Sequence, residues 1–514
     1  MREPNEGIRK GSIMKIGGEI MGSKPRLGII PIAKNNHQKD EIYQFAKYYE
    51  EKFSKEESIE LVMVQTVLFN EREIVARAKK MEAEDDVDLI VFIVGTWIFS
   101  SVVIAAVNDL HVPFLLYGLS DRIANGNLGA SVQIKYVLQE MKKNFLYLTG
   151  KMKDEDNYTA IMKYLRSAWV KRSLRNKKLA TIGGKCMMMY QTQVNEFCWK
   201  SVFGIDFPQY DAVQVFKEMD NVSNEEAKKV EQDFLAKIDK VNWKLPTGEK
   251  IYEDAIFKQA KLYLAFLRMK ELYDIDFFAN KCMPEMSAIP YGFGYAACLA
   301  TCMLNEAGIM TACEADVPAA LSMYILNLLT GSKVFFADIG RLNKKEKRIT
   351  FFNCGTAPIS MADKEKGIEL WPIPGNISDE ALPEEYYIGK MKGASINFVL
   401  KEGMDITMLR IGGNDDTLRF HVAKAKTCKR EVETDELFGE RWPGFGIQFE
   451  GDVDKFLWNT TGHHYSFVYG DWVRELEYLA NLYGIKFVFD VLCQLNSIAI
   501  RSYMYRKKVV YLDK

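Results

Sequence analysis

Between residues 26 and 150 the chain alternates short, almost continuously apolar runs with longer segments whose apolar positions recur at helical spacing. Strands that are apolar throughout and alternate with helices are typical of a parallel sheet covered on both faces. We therefore predict a Rossmann-like domain over residues 26–175. Its predicted strands are Arg26–Ala33, Ile59–Gln65, Asp88–Gly95 and Pro113–Gly118, and its predicted helices cover residues 38–54, 70–83 and 100–109.

The pattern changes twice more along the chain. A second α/β unit begins at Leu179–Gly184, and from about residue 345 apolar and polar residues alternate, as in Ile406–Ile411, between Gly- and Pro-rich loops. Such alternation is typical of antiparallel strands with one buried face. We predict a second α/β domain over residues 176–344 and a β-rich C-terminal domain over residues 345–514. The Gly- and charge-rich residues 1–25 are predicted to form a disordered leader.

Composition excludes several classes of protein. The 68 basic and 69 acidic residues give a net charge of -1, so no long-range field attracts nucleic acid. Apolar runs such as Val87–Trp97 are too short for a membrane span. The nine cysteines lack the spacing of a zinc site and indicate free thiols in a cytoplasmic protein. The loop Lys34–His37 is not a Gly-x-Gly-x-x-Gly turn, so we expect no nicotinamide cofactor.

Two acidic residues follow apolar runs on either side of a predicted helix. Glu314 precedes the helix over Pro318–Leu329, and Asp338 ends the next apolar run. This strand–helix–strand unit is expected to bring both acids to one edge of a parallel sheet, where such sheets bind ligands. Carboxylate oxygens suit Mn²⁺ or Mg²⁺, and an added imidazole shifts the preference toward Mn²⁺ or Co²⁺.

Histidine is scarce, with five in the whole chain, and two of them are the adjacent His463 and His464. Either could complete a metal site with the two acids. Asp316, just before a proline, is predicted to cap the helix that follows it. His421 lies on an alternating strand, and we interpret it as a hydrogen-bonded sheet residue. Arg410 ends a strand, where a surface ion pair and an anion contact fit equally well.

Five segments resemble the metal-binding core of L-fucose isomerases in order, residue type and spacing. They are Glu314–Met323, Leu329–Ile339, Phe352–Ala357, Gly403–Arg410 and Asn459–His464. L-arabinose isomerases share that fold and end with a similar pair of histidines. The resemblance covers most of residues 26–495 and is strongest from Lys281 onward.

The resemblance implies a fold, a metal and a reaction. The fold is α/β, with two Rossmann-like parallel-sheet N-terminal domains and a β-rich C-terminal domain. The family binds Mn²⁺, with Co²⁺ and Mg²⁺ as the alternatives for this chain, through positions that match Glu314, Asp338 and His464, with His463 as the lesser candidate. It interconverts aldoses and ketoses through a cis-enediol, with the two acids as acid and base. Family sites are built between subunits, which implies a homotrimer or homohexamer.

Other residues are predicted to contact the sugar. Asn353 matches a family asparagine near the site, Asn459 lies close to a second one, and His463 is also a predicted contact. Trp97 follows a strand end at the edge where ligands bind. Lys281 and Glu285 precede the Glu314 segment and could line the same pocket.

The sequence leaves the substrate open among a deoxyhexose, a pentose and a C6-modified hexose. The fucose-type first strand carries a sugar-binding arginine where this chain has Ile30. This departure indicates altered recognition, and a sulfosugar such as sulfoquinovose is one hypothesis. The alternatives are an enediolate lyase or epimerase, and a non-catalytic sugar-binding relative.

Overall fold

The computed structural model describes residues 24–492 apart from 35–38, 65, 121–126, 246–249, 285, 288–292, 374–392 and 432–441. The predicted leader therefore lies almost entirely outside the described residues. Among the described helices, none combines the length and apolarity that crossing a membrane requires.

The first sheet is parallel throughout, with the order β2-β1-β3-β4-β5. Its strands are β1 (Arg26–Ile32), β2 (Glu60–Met63), β3 (Leu89–Val94), β4 (Phe114–Leu119) and β5 (Leu146–Gly150). The helices that accompany it are α1 (Lys39–Phe53), α2 (Glu71–Ala83), α3 (Ser100–Val107), α4 (Asn127–Glu140) and α5 (Glu155–Ser173). Leu27 and Ile29 belong to one apolar core and Ile30 and Ile32 to another, as expected of a sheet buried on both faces. The predicted doubly covered parallel sheet is confirmed.

The second sheet is also parallel and has the order β10-β9-β6-β7. Its strands are β6 (Leu179–Ile182), β7 (Gln209–Tyr210), β9 (Phe277–Asn280) and β10 (Thr311–Ala312). The helices of this region are α6 (Glu196–Phe203), α7 (Ala212–Asp220), α8 (Asn224–Leu235), α9 (Ala255–Tyr273), α10 (Cys298–Glu306) and α11 (Val317–Thr330). A small sheet joins β8 (Lys240–Val241) to β13 (Glu369–Pro372) and β14 (Ala394–Asn397).

The largest sheet closes on itself, because its order β15-β18-β11-β12-β17-β16 is completed by pairing between β15 and β16. We call it the closed sheet. Its strands are β11 (Phe335–Asn343), β12 (Arg348–Phe352), β15 (Asp405–Gly412), β16 (Arg419–Cys428), β17 (Gly444–Gln448) and β18 (His464–Tyr469). All these pairs are antiparallel, and β19 (Lys486–Val491) adds to β16 in parallel. The predicted β-rich C-terminal region is confirmed. Its helices are α12 (Val453–Asn459) and α13 (Val473–Tyr483).

One prediction about the two acids is wrong. They do not share a sheet edge, because β10 lies in the second sheet and β11 in the closed sheet. The connecting helix α11 explains the difference. It is apolar on all sides and almost wholly buried, so it packs between two layers instead of covering the outside of one sheet. The chain thus crosses from one sheet to the other between Glu314 and Asp338.

Candidate metal centre

Glu314 lies in a strained turn between β10 and α11. It and Ala315 have φ values of 59° and 52°, a left-handed conformation that costs a residue with a side chain about 1–2 kcal/mol. The turn is held by the amide of Ala315, which donates to the carbonyl of Asn280 at 3.0 Å. Such strain concentrates at functional sites, where the rest of the fold supports it.

Asp338 and His464 are brought together by strand register. They are direct partners in the antiparallel pair of β11 and β18, so their side chains lie on the same face of the sheet. Oδ1 of Asp338 lies 3.1 Å from Nε2 of His464, and Oε2 of Glu314 lies 3.2 Å from the same nitrogen. The structure therefore brings together all three residues that were predicted to hold a metal.

The imidazole of His464 is fully buried, whereas the two carboxylates reach solvent. The side chains of Glu314 and Asp338 are 15% and 23% exposed, which leaves an open side for a small molecule to approach. Burial raises the pKa of the Glu314 carboxyl to about 8, and the nearby Asp338 adds to this while His464 opposes it. Burial would lower the pKa of His464, but the charge of Asp338 and the contacts with Asp316 and Glu314 raise it well above its usual value.

The spacing of these groups fits a divalent cation. Although it lies close to two carboxylates, Nε2 of His464 makes no hydrogen bond of acceptable angle to any described residue. An octahedral cation with bonds of roughly 2.1 Å holds neighbouring ligand atoms about 3.0 Å apart, close to the two separations around this nitrogen. Two carboxylates and an imidazole are ligands that Mn²⁺ accepts.

His463 offers a second set of ligands. One donor atom each from Glu314, His463 and His464 lie within 4.8 Å of one another. Nε2 of His463 is 3.7 Å from Oδ1 of Asp338, and its Nδ1 is 3.2 Å from Nε2 of Gln191, in a short 3₁₀ turn. Glu314 and His464 therefore belong to both candidate ligand sets, and Asp338 and His463 are the alternatives for the third ligand.

Comparison with known proteins bears on the same region. Residues 351–490 match the family model described as the L-fucose isomerase C-terminal domain. Over these residues the chain is similar to L-fucose isomerases. The matched span includes both adjacent histidines, and Glu314 and Asp338 lie before it.

Curated relatives extend the likeness beyond that domain. Sulfoquinovose isomerase of Priestia aryabhattai is 21% identical over 68% of this chain and 72% of its own length. Those of Clostridium sp. (strain MSTE9) and Alkalicoccus urumqiensis are 24% and 21% identical, over 66% and 78% of this chain and 70% and 86% of their own lengths. A solute-binding protein of an ABC transporter from R. palustris aligns over 52% of this chain at 11% identity with a TM-score of 0.16, too low to bear on the fold.

Arg410 is a buried part of this candidate centre, so the surface ion pair considered for it is wrong. It is fully buried, and its Nη1 lies 2.7 Å from Oδ2 of Asp316. Its Nη2 donates to the carbonyl of Gln191 at 3.1 Å. Gly462 makes room for the guanidinium, since a Cβ there would lie 2.7 Å from Nη2.

Asp316 has two roles, of which the sequence indicated one. Its Oδ1 accepts from the amide of Ala319 at 2.8 Å, which confirms the predicted helix cap. Its Oδ2 also contacts Nδ1 of His464 at 2.7 Å. A signal for this second role exists, because an arginine within the apolar strand Ile406–Ile411 requires a buried anion.

Of the predicted sugar contacts, two asparagines are engaged within the protein. Nδ2 of Asn353 donates to the carbonyl of Phe336, and its Oδ1 accepts from the amides of Gly355 and Thr356 at 2.8 and 2.9 Å. Asn459 donates to Asp490 at 3.0 Å. Their predicted contacts with a sugar stay predictions.

The remaining predicted contacts lie around the second and first sheets. Lys281 follows β9, and its aliphatic carbons pack over Gly183. Trp97 is 38% exposed after β3, in the first sheet rather than beside His464. Glu285 lies outside the described residues. Roles for these residues in binding sugar stay predictions.

His421 is confirmed as a hydrogen-bonded residue of the sheet. It is fully buried, with Nε2 2.8 Å from Asp490 and Nδ1 hydrogen-bonded to the hydroxyl of Tyr465. Burial lowers the pKa of its imidazole, although Asp490 opposes this.

The described cysteines are free thiols, as predicted, and four of them lie in a row behind Glu314. The Sγ atoms of Cys282 and Cys313 are 3.5 Å apart, those of Cys313 and Cys354 are 3.8 Å apart, and those of Cys354 and Cys298 are 3.5 Å apart. Cys493 lies outside the described residues.

Proposed function

We propose that this protein is a metal-dependent aldose–ketose isomerase whose cation, Mn²⁺ by preference, is held by Glu314, Asp338 and His464. One observation carries the proposal. The buried Nε2 of His464, without a well-aligned hydrogen bond, faces two carboxylate oxygens at 3.1 and 3.2 Å. The likeness to the L-fucose isomerase C-terminal domain and to sulfoquinovose isomerases supports the same reaction class.

The reaction moves one proton between C1 and C2 of the sugar through a cis-enediol. A divalent cation held by Glu314, Asp338 and His464 would polarise the carbonyl as a Lewis acid and help to position the sugar. Glu314 and Asp338 border the same opening, so one can take the proton from one carbon while the other returns it. The buried His464 forms the bottom of the site and keeps water out on that side.

For the substrate we propose an aldose with a sulfonate at C6, of the sulfoquinovose type. The relatives with this name match 66–78% of the chain. The arginine of the fucose-type first strand is replaced by Ile30, which is fully buried in an apolar core and cannot touch a sugar. A deoxyhexose or pentose remains the second candidate.

The direct test is a product assay with sulfoquinovose, L-fucose, L-arabinose and D-glucose, with Mn²⁺ and with excess chelator. We expect a ketose from sulfoquinovose with Mn²⁺ and none after chelation. In D₂O an isomerase leaves deuterium at C1 of the ketose, whereas an epimerase leaves it at C2 of an aldose. Full activity after exhaustive chelation would overturn the metal mechanism. Turnover of L-fucose and of no other sugar tested would overturn the proposed substrate.

A pair of variants distinguishes the two possible ligand sets. Asp338→Asn and His463→Gln each remove one candidate ligand and keep the size of the side chain. We expect Asp338→Asn to weaken Mn²⁺ binding strongly and His463→Gln to weaken it little, measured by titration with Mn²⁺ alone. The reverse order would assign the third position to His463.

A further inference from the structure

Asp316 uses its two carboxylate oxygens for different tasks. Oδ1 caps helix α11, and Oδ2 is shared by Nη1 of Arg410 and Nδ1 of His464, both at 2.7 Å. Asp316, Arg410 and His464 are all completely buried. A helix cap alone needs neither an arginine nor an imidazole, since side-chain oxygens on exposed caps such as Asp452 do that work without them.

We propose that Asp316 is a positioning residue that fixes the orientation and tautomer of His464 for metal binding. The inference rests on the proposed function, which supplies the cation. An anionic oxygen 2.7 Å from Nδ1 keeps a proton on that nitrogen, so Nε2, which faces Glu314 and Asp338, is the nitrogen that can give its lone pair to a cation. Carboxylates that hold a metal-bound imidazole in this way strengthen metal binding.

Arg410 supplies the counter-charge of that carboxylate, because its Nη1 lies 2.7 Å from Oδ2 and both side chains are fully buried. Arg410 is itself fixed by the carbonyl of Gln191 and by the space at Gly462. Through these contacts, one rigid unit joins the turn that carries Gln191, the start of α11 and the strand β18.

The test is Asp316→Asn, measured by binding of Mn²⁺ alone, with the electron paramagnetic resonance signal of free Mn²⁺ as the readout. Asparagine is an equally good cap, so Oδ1 can still accept from Ala319. Its amide places an N–H against Nδ1 of His464, which moves the imidazole proton to Nε2, the nitrogen that faces the cation. We expect the dissociation constant for Mn²⁺ to rise about 10–100-fold.

Asp154→Asn is the matched control, because Asp154 caps α5 through the amides of Asp156 and Asn157. It should leave the Mn²⁺ affinity unchanged. If Asp316→Asn binds Mn²⁺ like the wild type, the positioning role is overturned and the proposed function stands. If the wild type itself binds no Mn²⁺, the proposed metal mechanism and this inference both fail.

Asp316→Asn leaves the Arg410 guanidinium buried without its anion and could fail to fold. The double variant Asp316→Asn/Arg410→Met removes that charge, and we expect it to fold and still bind Mn²⁺ weakly. Wild-type protein loaded with diamagnetic Mg²⁺ gives a readout without these variants. Nitrogen-15 resonances of His464, assigned with His464→Gln, should show the proton on Nδ1, and a proton on Nε2 would overturn the proposal.

Discussion

The first sheet and the region around the closed sheet each contain a buried aspartate beside an arginine. The pKa of the aspartate is raised in the first region and lowered in the second. Asp88, at the start of β3, lies 2.6 Å from Nε of Arg172 and accepts from the amide of Arg26 at 2.7 Å. Burial raises its pKa to about 6 in spite of these partners. Asp316 is held by the buried Arg410 and His464, which lower its pKa although burial opposes them.

The two pKa values differ because the neighbouring arginines differ in their exposure to solvent. The side chain of Arg172 is 27% exposed and is shared with Asp86, so solvent weakens its field at Asp88. Arg410 is fully buried and acts on Asp316 with little screening. The first pair ties α5 to the edge of a sheet, whereas the second lies directly behind the candidate metal ligands. A fully buried ion pair therefore distinguishes the region of the candidate metal site.

The largest expected effect is on turnover. Asp338→Asn should lower kcat by about 10²–10⁴ or more, because it removes a carboxylate proposed to serve in acid–base work and metal binding. Asp88→Asn, the same change in the first sheet, should leave kcat within about twofold. Steady-state assays with Mn²⁺ and the accepted aldose measure kcat of both variants. Equal losses of kcat would contradict the distinction between the two regions.

A second effect concerns stability. Arg410→Met leaves the buried Asp316 without its main cation, and we expect a loss of about 3 kcal/mol or more in the free energy of unfolding. Arg172→Met should cost about 1 kcal/mol, because that arginine is partly exposed and Asp88 keeps the amide of Arg26. Urea unfolding of metal-free protein compares them. If Arg172→Met lost more unfolding free energy than Arg410→Met, the claim that solvent screens Arg172 more than Arg410 would be wrong.

The smallest effect is a pH dependence from Asp88. Its folded pKa of about 6 lies above the unfolded value of 3.8, so the folded state binds more protons between these two pKa values. Stability from this group is therefore present at low pH and is lost as pH rises through about 4–6, by on the order of 1–3 kcal/mol.

Asp88→Asn should flatten this part of the stability profile, measured as the urea midpoint against pH. Asp86→Asn is the control, because Asp86 pairs with the same Arg172 but is 64% exposed. It should keep the slope. A slope that Asp88→Asn does not change would show that another group produces it.

Local pattern predicted the first sheet well, because its continuous apolar runs, such as Leu89–Val94, indicate buried parallel strands on their own. The candidate ligand residues were predicted from resemblance and residue type. Their arrangement could not be predicted, because Asp338 meets His464 only through the antiparallel register of strands that lie far apart in the chain. The apolar helix α11 was an unused sign that the two acids belong to different layers.

The polar support of the site was the least predictable part. The pattern predicts a strand that ends at Arg410, where surface arginines are common, but the fold places Arg410 within β15 and buries it against Asp316. Asp316 satisfied the pattern of a helix cap, which concealed its contact with His464. The sequence signal for that contact is indirect, because it lies in the arginine of an apolar strand and not at Asp316 itself.

The most direct measurement is an anomalous difference map from a crystal soaked in Mn²⁺, with data collected at the manganese absorption edge. We expect one strong peak within bonding distance of the carboxylates of Glu314 and Asp338 and of Nε2 of His464. A fully soaked crystal with no peak there, or with its only strong peak elsewhere, would contradict it.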